Sequence, residues 1–321
     1  MSTADTNSNS LSLLYELMFH TIILTGTTDW PGLSSCLLQS VASNGIPTIG
    51  LTYGYLSRGD GFRNTRCNSL LPDTDAVVEC LTEQHNDAIF GGTYGAVREY
   101  NGAEFWQPVD PRDSIAGRLG LLLAHLDEEY PEEGWDEYYT AASGSYPASL
   151  PMPEWSMITF MGHSQGAGHS AYLAATQDVH GAVLVSGPQD ECIDCPSGTT
   201  FWIDEKFKSK KVTAFAHGDA SESFLEPTLP IMEDNWMRMK VWPEPLMVKN
   251  VDNYIDYDVC KTPIVSSIAP SSTSPCGRKG HCATALDDSA PVLANTSGEN
   301  VYIFAVDIWS TIADVSQCKN K

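Results

Sequence analysis

The chain has 321 residues, 42% of them apolar, and its 41 acidic side chains against 18 basic ones give a formal charge of −23. That apolar content fills a sizeable globular core, while the charge repels phosphate backbones and anionic membrane surfaces, so nucleic acid is not an expected partner. No apolar run reaches the ~18 residues of a membrane span, and no integral membrane segment is expected.

Residues 1–18 read as a polar tail. MSTADTNSNS has no basic stretch, and the apolar segment after it carries Glu16, so no secretory signal is expected. From 19 to 321 no repeat or linker divides the chain, which predicts a single domain. The first strand is HTIILTG (His20 to Gly26), apolar on both faces as a buried parallel strand requires. A helix from about Pro31 to Ala42 opens on proline, and the strand IPTIGLTYG completes a βαβ unit.

Residues 55–110 read as a long irregular insertion, of the kind that covers or binds. Asp113 or Ser114 then caps a helix whose apolar face is Ile115, Leu119, Leu122, Leu123 and Leu126. A second irregular stretch, Tyr138 to Pro153, leads into the strand WSMITFMG. After it come a small-residue helix (Gly166 to Thr176), the strands AVLVSG and KVTAFAHG, and a helix over IMEDNWMRMK. LMVKNV and TPIVSSI each qualify as the last sheet strand, and a final helix is expected from Val301 to Val315. Alternating strands and helices predict an α/β fold, a mostly parallel sheet with helices on both faces.

The strand WSMITFMG delivers FMGHSQGAGHSAY, which places Ser164 between Gly162 and Gly166. In a G-x-S-x-G turn the strand reverses into a helix so sharply that side chains at either glycine would collide, which leaves the serine hydroxyl exposed at the sheet's carboxyl edge. Ser164 is therefore the expected nucleophile. The same turn aims the N–H of Gln165 at a developing oxyanion, and a second donor is expected from Thr27 or Thr28, in the loop after the first strand.

Eight histidines are candidates for its base. His163 sits inside the turn and His169 lies round the helix, so both read as packing residues. His217 ends a strand and is expected near the site. In this architecture the chain order is serine, acid, histidine, with the base beyond the last strand. That selects His281, in the glycine-flanked segment CGRKGHCATALDD. The acid follows KVTAFAHG: Asp219 is the candidate, with Glu222 as the alternative.

On these motifs the chain resembles the α/β-hydrolase superfamily, and within it the BPSS-type microbial serine hydrolases that carry G-H-S-Q-G-[AG]-G-H. The matching pieces are IILTGTTDWPG, GLTYGY, DSIAGRLGLLLAHLDEEYPEEGW, WSMITFMGHSQGAGHSAYLA, VLVSGPQD, TAFAHGD and GHCATALDD. The resemblance implies an α/β-hydrolase fold with a reduced first hairpin, a Ser164, Asp219, His281 triad and no cofactor or metal. The chain departs from the group's Gly-Thr-Gly-Gly turn: Gly26-Thr27-Thr28-Asp29 stands in its place and adds bulk beside the acyl pocket.

The expected function is hydrolysis of carboxylic esters, small or polymeric, through an acyl-enzyme; an acyltransferase with the same triad and a non-catalytic binding protein are the alternatives. A second insertion, about 220–245, carries Phe224, Leu225, Trp236, Met237, Met239 and Trp242, which form either an apolar cap or ordinary core. Nine cysteines imply some disulfides and lean toward a secreted or luminal setting. Cys276 and Cys282 are close enough in sequence to pair and brace the base loop, and the lone Cys192-x-x-Cys195 reads as a structural loop. Asn295-Thr296-Ser297 is a glycosylation sequon.

Overall fold

The computed structural model describes residues 20–26, 29–54, 67–92, 97–100, 102–191, 203, 207–209, 211–218, 229–252, 258–272, 279–294, 300–302, 308–309 and 311–318. In chain order the elements are β1 (His20–Leu24), α1 (Ser35–Ser43), β2 (Thr48–Leu51), α2 (Thr74–Phe90), β3 (Arg98–Tyr100), β4 (Ala103–Trp106) and α3 (Ile115–Glu129). Then follow β5 (Tyr139–Thr140), β6 (Met152–Pro153), β7 (Ile158–His163), α4 (Gln165–Thr176), β8 (Gly181–Val185) and β9 (Val212–His217). The chain continues through α5 (Leu229–Met239), β10 (Lys249–Asn250), β11 (Ile264–Ser266), α6 (Lys279–Ala283), β12 (Val292–Ala294) and β13 (Asn300–Tyr302).

Seven strands form one sheet in the order β10-β11-β9-β8-β7-β1-β2, with every pairing parallel. Alternate residues of its central strands feed two separate cores, as side chains of period two must when both faces are covered. Ile22, Leu24, Phe160, Ala182 and Leu184 pack on one face with α3, α4 and α5, through Ile115, Leu119, Leu123, Ala171, Met232 and Trp236. Ile23, Met161, Val183, Val185 and Phe215 pack on the other with Leu37 and Val41 of α1 and with Trp309 and Ile312. The α/β architecture read from the sequence is what the described residues show. Ser114 is the cap of α3, accepting from Gly117 N at 3.1 Å, and both LMVKNV and TPIVSSI supply strands, β10 paired to β11.

The structure corrects two expectations and resolves one open alternative. Residues 55–110 are not irregular throughout: α2 is a 17-residue helix capped by Asp73, whose carboxylate accepts from Ala76 N at 3.1 Å, and β3 and β4 form an antiparallel hairpin against it. These pieces share a small core of Val77, Leu81, Tyr100, Phe105 and Trp106, closed by the disulfide Cys67–Cys80. At their centre the buried Asp87 carboxylate accepts from Arg98 Nη2 and Nε at 2.8 and 2.9 Å and from Trp106 Nε1 at 2.9 Å. Second, Trp236, Met239 and Trp242 belong to the main core rather than to a cap, while Met237 is exposed; Trp236 Nε1 donates to the Gly187 carbonyl at 3.0 Å. Third, the stretch from Val301 does not begin as helix, because β13 pairs with β12.

Candidate active site

The carboxyl end of β7 lies between β1 and β8, and its six residues are all buried. Ser164 follows with φ 55° and ψ −115°, a conformation that side-chain-bearing residues rarely adopt, and α4 starts at the next residue. The two flanking glycines are steric requirements. A Cβ at Gly162 would lie 2.0 Å from the Gly166 carbonyl oxygen, and one at Gly166 would lie 2.3 Å from that of Leu24. Ser164 N donates to Val185 O at 2.9 Å, which pins the turn to the neighbouring strand. The amino end of α4 points its peptide dipoles at the serine, a setting that favours negative charge there.

His281 lies on α6, is 3% exposed, and is carried to this turn from 117 positions along the chain (281 less 164). Its ring centroid is 4.8 Å from that of His163, the residue before the serine. Its carbonyl oxygen accepts from His163 Nε2 at 3.0 Å and from Thr284 Oγ1 at 2.8 Å. Thr284 in turn pairs with Ser186 Oγ at 2.8 Å, just past β8. On its other side, Gln189 Nε2 donates to the Ser186 carbonyl at 3.0 Å and lies 3.3 Å from His281 Nδ1. Asp29, from the segment after β1, brings Oδ2 to 3.6 Å from His163 Nδ1. Cys282, adjoining His281, is disulfide-bonded.

Ser164, Gln165 and His281 are thus brought to one edge of the sheet. Thr27, Thr28, Asp219 and Glu222 lie outside the described residues, as do Cys192, Cys195, Phe224, Leu225, Cys276 and the sequon at Asn295. Gly218, the residue before Asp219, is held at the end of β9 by a bond from its N–H to Ser266 O at 2.7 Å. His217 is fully buried with Nε2 3.0 Å from the Ile268 carbonyl, which fixes the strand end.

His169 is fully buried too, but in a polar chain rather than an apolar one. Its Nδ1 is 3.0 Å from His85 Nδ1, and His85 Nε2 is 3.3 Å from Asp190 Oδ2. One of the two facing nitrogens must carry the proton and the other the lone pair. The chain joins α2 to α4 and to the segment after β8, with Tyr172 stacked on His85 at 5.0 Å. Gln189, Asp29, His85 and Asp190 had no signal in the sequence beyond their residue type, because each finds its partner across a large separation.

No helix among the described residues is long and apolar enough to cross a membrane. No family model, curated protein or solved structure matches the chain.

Proposed function

We propose that the chain is a serine hydrolase of the α/β-hydrolase type that cleaves apolar carboxylic esters through an acyl-enzyme. The observation that carries this reading is the backbone of Ser164, set at φ 55° between a buried parallel strand and a helix start, with no room for a side chain at either flanking glycine. A turn of this shape lifts one hydroxyl clear of the sheet edge. The strand order supports it: the serine strand is central, the strand that follows Ser164 in sequence lies beside it, and β9, which leads to Asp219, is next.

In the proposed reaction Ser164 Oγ attacks the ester carbonyl as His281 takes its proton. The oxyanion is held by the N–H of Gln165 and by one from Thr27 or Thr28, each such donor contributing about 3 kcal/mol. His281 passes the proton to the leaving alcohol, and water then frees the acid from Ser164 by the same route reversed. Asp219 orients the imidazole and stabilises its cation. The substrate is an ester with a short to medium apolar acyl group, in keeping with a net charge of −23 that repels anions.

A fluorophosphonate probe with p-nitrophenyl esters of increasing acyl length tests this. Ser164 should be the labelled residue, and Ser164→Ala should lose both labelling and about 10⁴-fold or more in turnover. Asp219→Asn should lose a comparable factor and Glu222→Gln little. Full turnover in the Ser164→Ala variant rejects the reading; the reverse ranking of the two acid variants moves the acid to Glu222.

A further inference from the structure

Among the described residues the helix that carries the proposed base spans five, Lys279–Ala283. A helix of this length does not hold itself in water, so the position of His281 depends on what its main chain is tied to. One tie is internal to its own segment, from Thr284 Oγ1. Another comes from the nucleophile strand: His163 Nε2 stands 3.0 Å from the His281 carbonyl oxygen. A carbonyl only accepts, so Nε2 carries the proton in that bond. The opposite nitrogen, Nδ1, faces Asp29 Oδ2 at 3.6 Å, and His163 is 4% exposed. One imidazole therefore spans the segment after β1, the end of β7 and α6, the places that supply the oxyanion loop, the nucleophile and the base.

We propose that His163 is a positioning residue for the base: its Nε2–H fixes the main chain of His281 relative to the adjoining Ser164. This rests on the serine-hydrolase reading, in which His281 takes the proton of Ser164. By sequence alone His163 reads as a packing residue; packing requires a ring of this volume, whereas positioning requires the donor atom at Nε2.

Glutamine places its amide nitrogen near the Nε2 position of histidine, asparagine falls one methylene short, and leucine fills volume without a donor. A misplacement of about 1 Å at a catalytic group costs up to about 10²-fold in rate. His163→Leu and His163→Asn are accordingly expected to lower kcat by about 10- to 100-fold with KM changed by less than about two-fold, and His163→Gln to recover kcat to within about five-fold of the parent. The rate of fluorophosphonate labelling at Ser164 should fall in step with kcat/KM. Should His163→Leu fail to fold, the pair His163→Gln and His163→Asn carries the comparison, since both are polar and differ in reach. Equal kcat in those two variants, or parental kcat in His163→Leu, overturns the proposal. Absence of labelling at Ser164 in the parent protein instead removes the hydrolase reading on which it stands, so the two failures are distinguished in one experiment.

Discussion

Two ways of removing the Ser164 hydroxyl are expected to differ in stability. At φ 55° and ψ −115° the serine sits in a sparsely populated conformation, and a side-chain-bearing residue held in such a well costs about 1–3 kcal/mol. Ser164→Ala keeps the Cβ and hence the strain, so its stability should stay within about 0.5 kcal/mol of the parent. Ser164→Gly releases the strain but loosens the unfolded chain, a loss of about 0.4–1 kcal/mol. Taking the middle of both ranges, the glycine variant should exceed the alanine variant by about 1 kcal/mol, or roughly 1–2 °C in the thermal midpoint of a chain of 321 residues. The opposite sign is expected at Gly162. A methyl there would meet the Gly166 carbonyl oxygen at 2.0 Å, which is backbone and cannot swing aside, so Gly162→Ala should lose about 2–3 kcal/mol or more. Urea unfolding of the variants side by side measures all these differences. A Ser164→Gly variant no more stable than Ser164→Ala would mean that the turn stores no strain.

Two further outcomes concern groups away from the serine. Asp87→Ala should destabilise by about 2 kcal/mol, because it strands the buried Trp106 N–H and removes two of the Arg98 guanidinium's bonds, leaving Arg98 only its bond to Glu83 among the bonds described and its contact with water; the β3–β4 hairpin should then become the first site of proteolytic cleavage, and parental resistance would refute this. Burial, with Lys211 adding to it, holds the His180 imidazole down from its ordinary 6.5 to about 4. The unfolded chain therefore binds the proton more readily than the fold does, so the stability from this group is complete above about pH 6.5 and falls as pH drops toward 4. His180→Gln should flatten the thermal midpoint against pH across that window, and an unchanged slope would show that other groups set it.

The sheet was legible because parallel strands covered on both faces are continuous apolar runs: HTIIL, GAVLV and VTAFAH are all buried at every position. The same reasoning hid α2. Its buried residues include Gln84, His85 and Asp87 beside Val77, Leu81 and Ile89, so the helical period of hydropathy is broken by polar side chains. Those side chains are buried because Cys67, His169, Arg98 and Trp106 receive them, partners that a window along the sequence does not contain. Asp73 did mark the start, yet a lone capping residue in a Gly- and Asn-rich stretch carries little weight without the apolar stripe after it. From Val301 the ambiguity is different. β-branched and aromatic residues suit a strand as well as a buried helix, and the choice at β13 goes to the antiparallel partner six to ten residues upstream, β12.

At the site, legibility follows the same distinction between local and distant causes. The serine turn is written in five consecutive residues because its geometry is a matter of backbone collisions at Gly162 and Gly166. The proposed base, His281, is chosen by chain order, which is a property of the topology rather than of its neighbours. What surrounds His281 depends on neither. Gln189 meets His281 across 92 positions and His163 meets it across 118, and nothing in the local sequence separates a histidine that packs from one that donates. The two histidines of this segment illustrate it: His163 and His169 share one strand-to-helix segment and are both buried, yet one contacts the main chain of His281 and the other a second imidazole. Their difference comes from where β7 ends and α4 turns them, His163 toward α6 and His169 toward α2, so the sheet must exist before either role does.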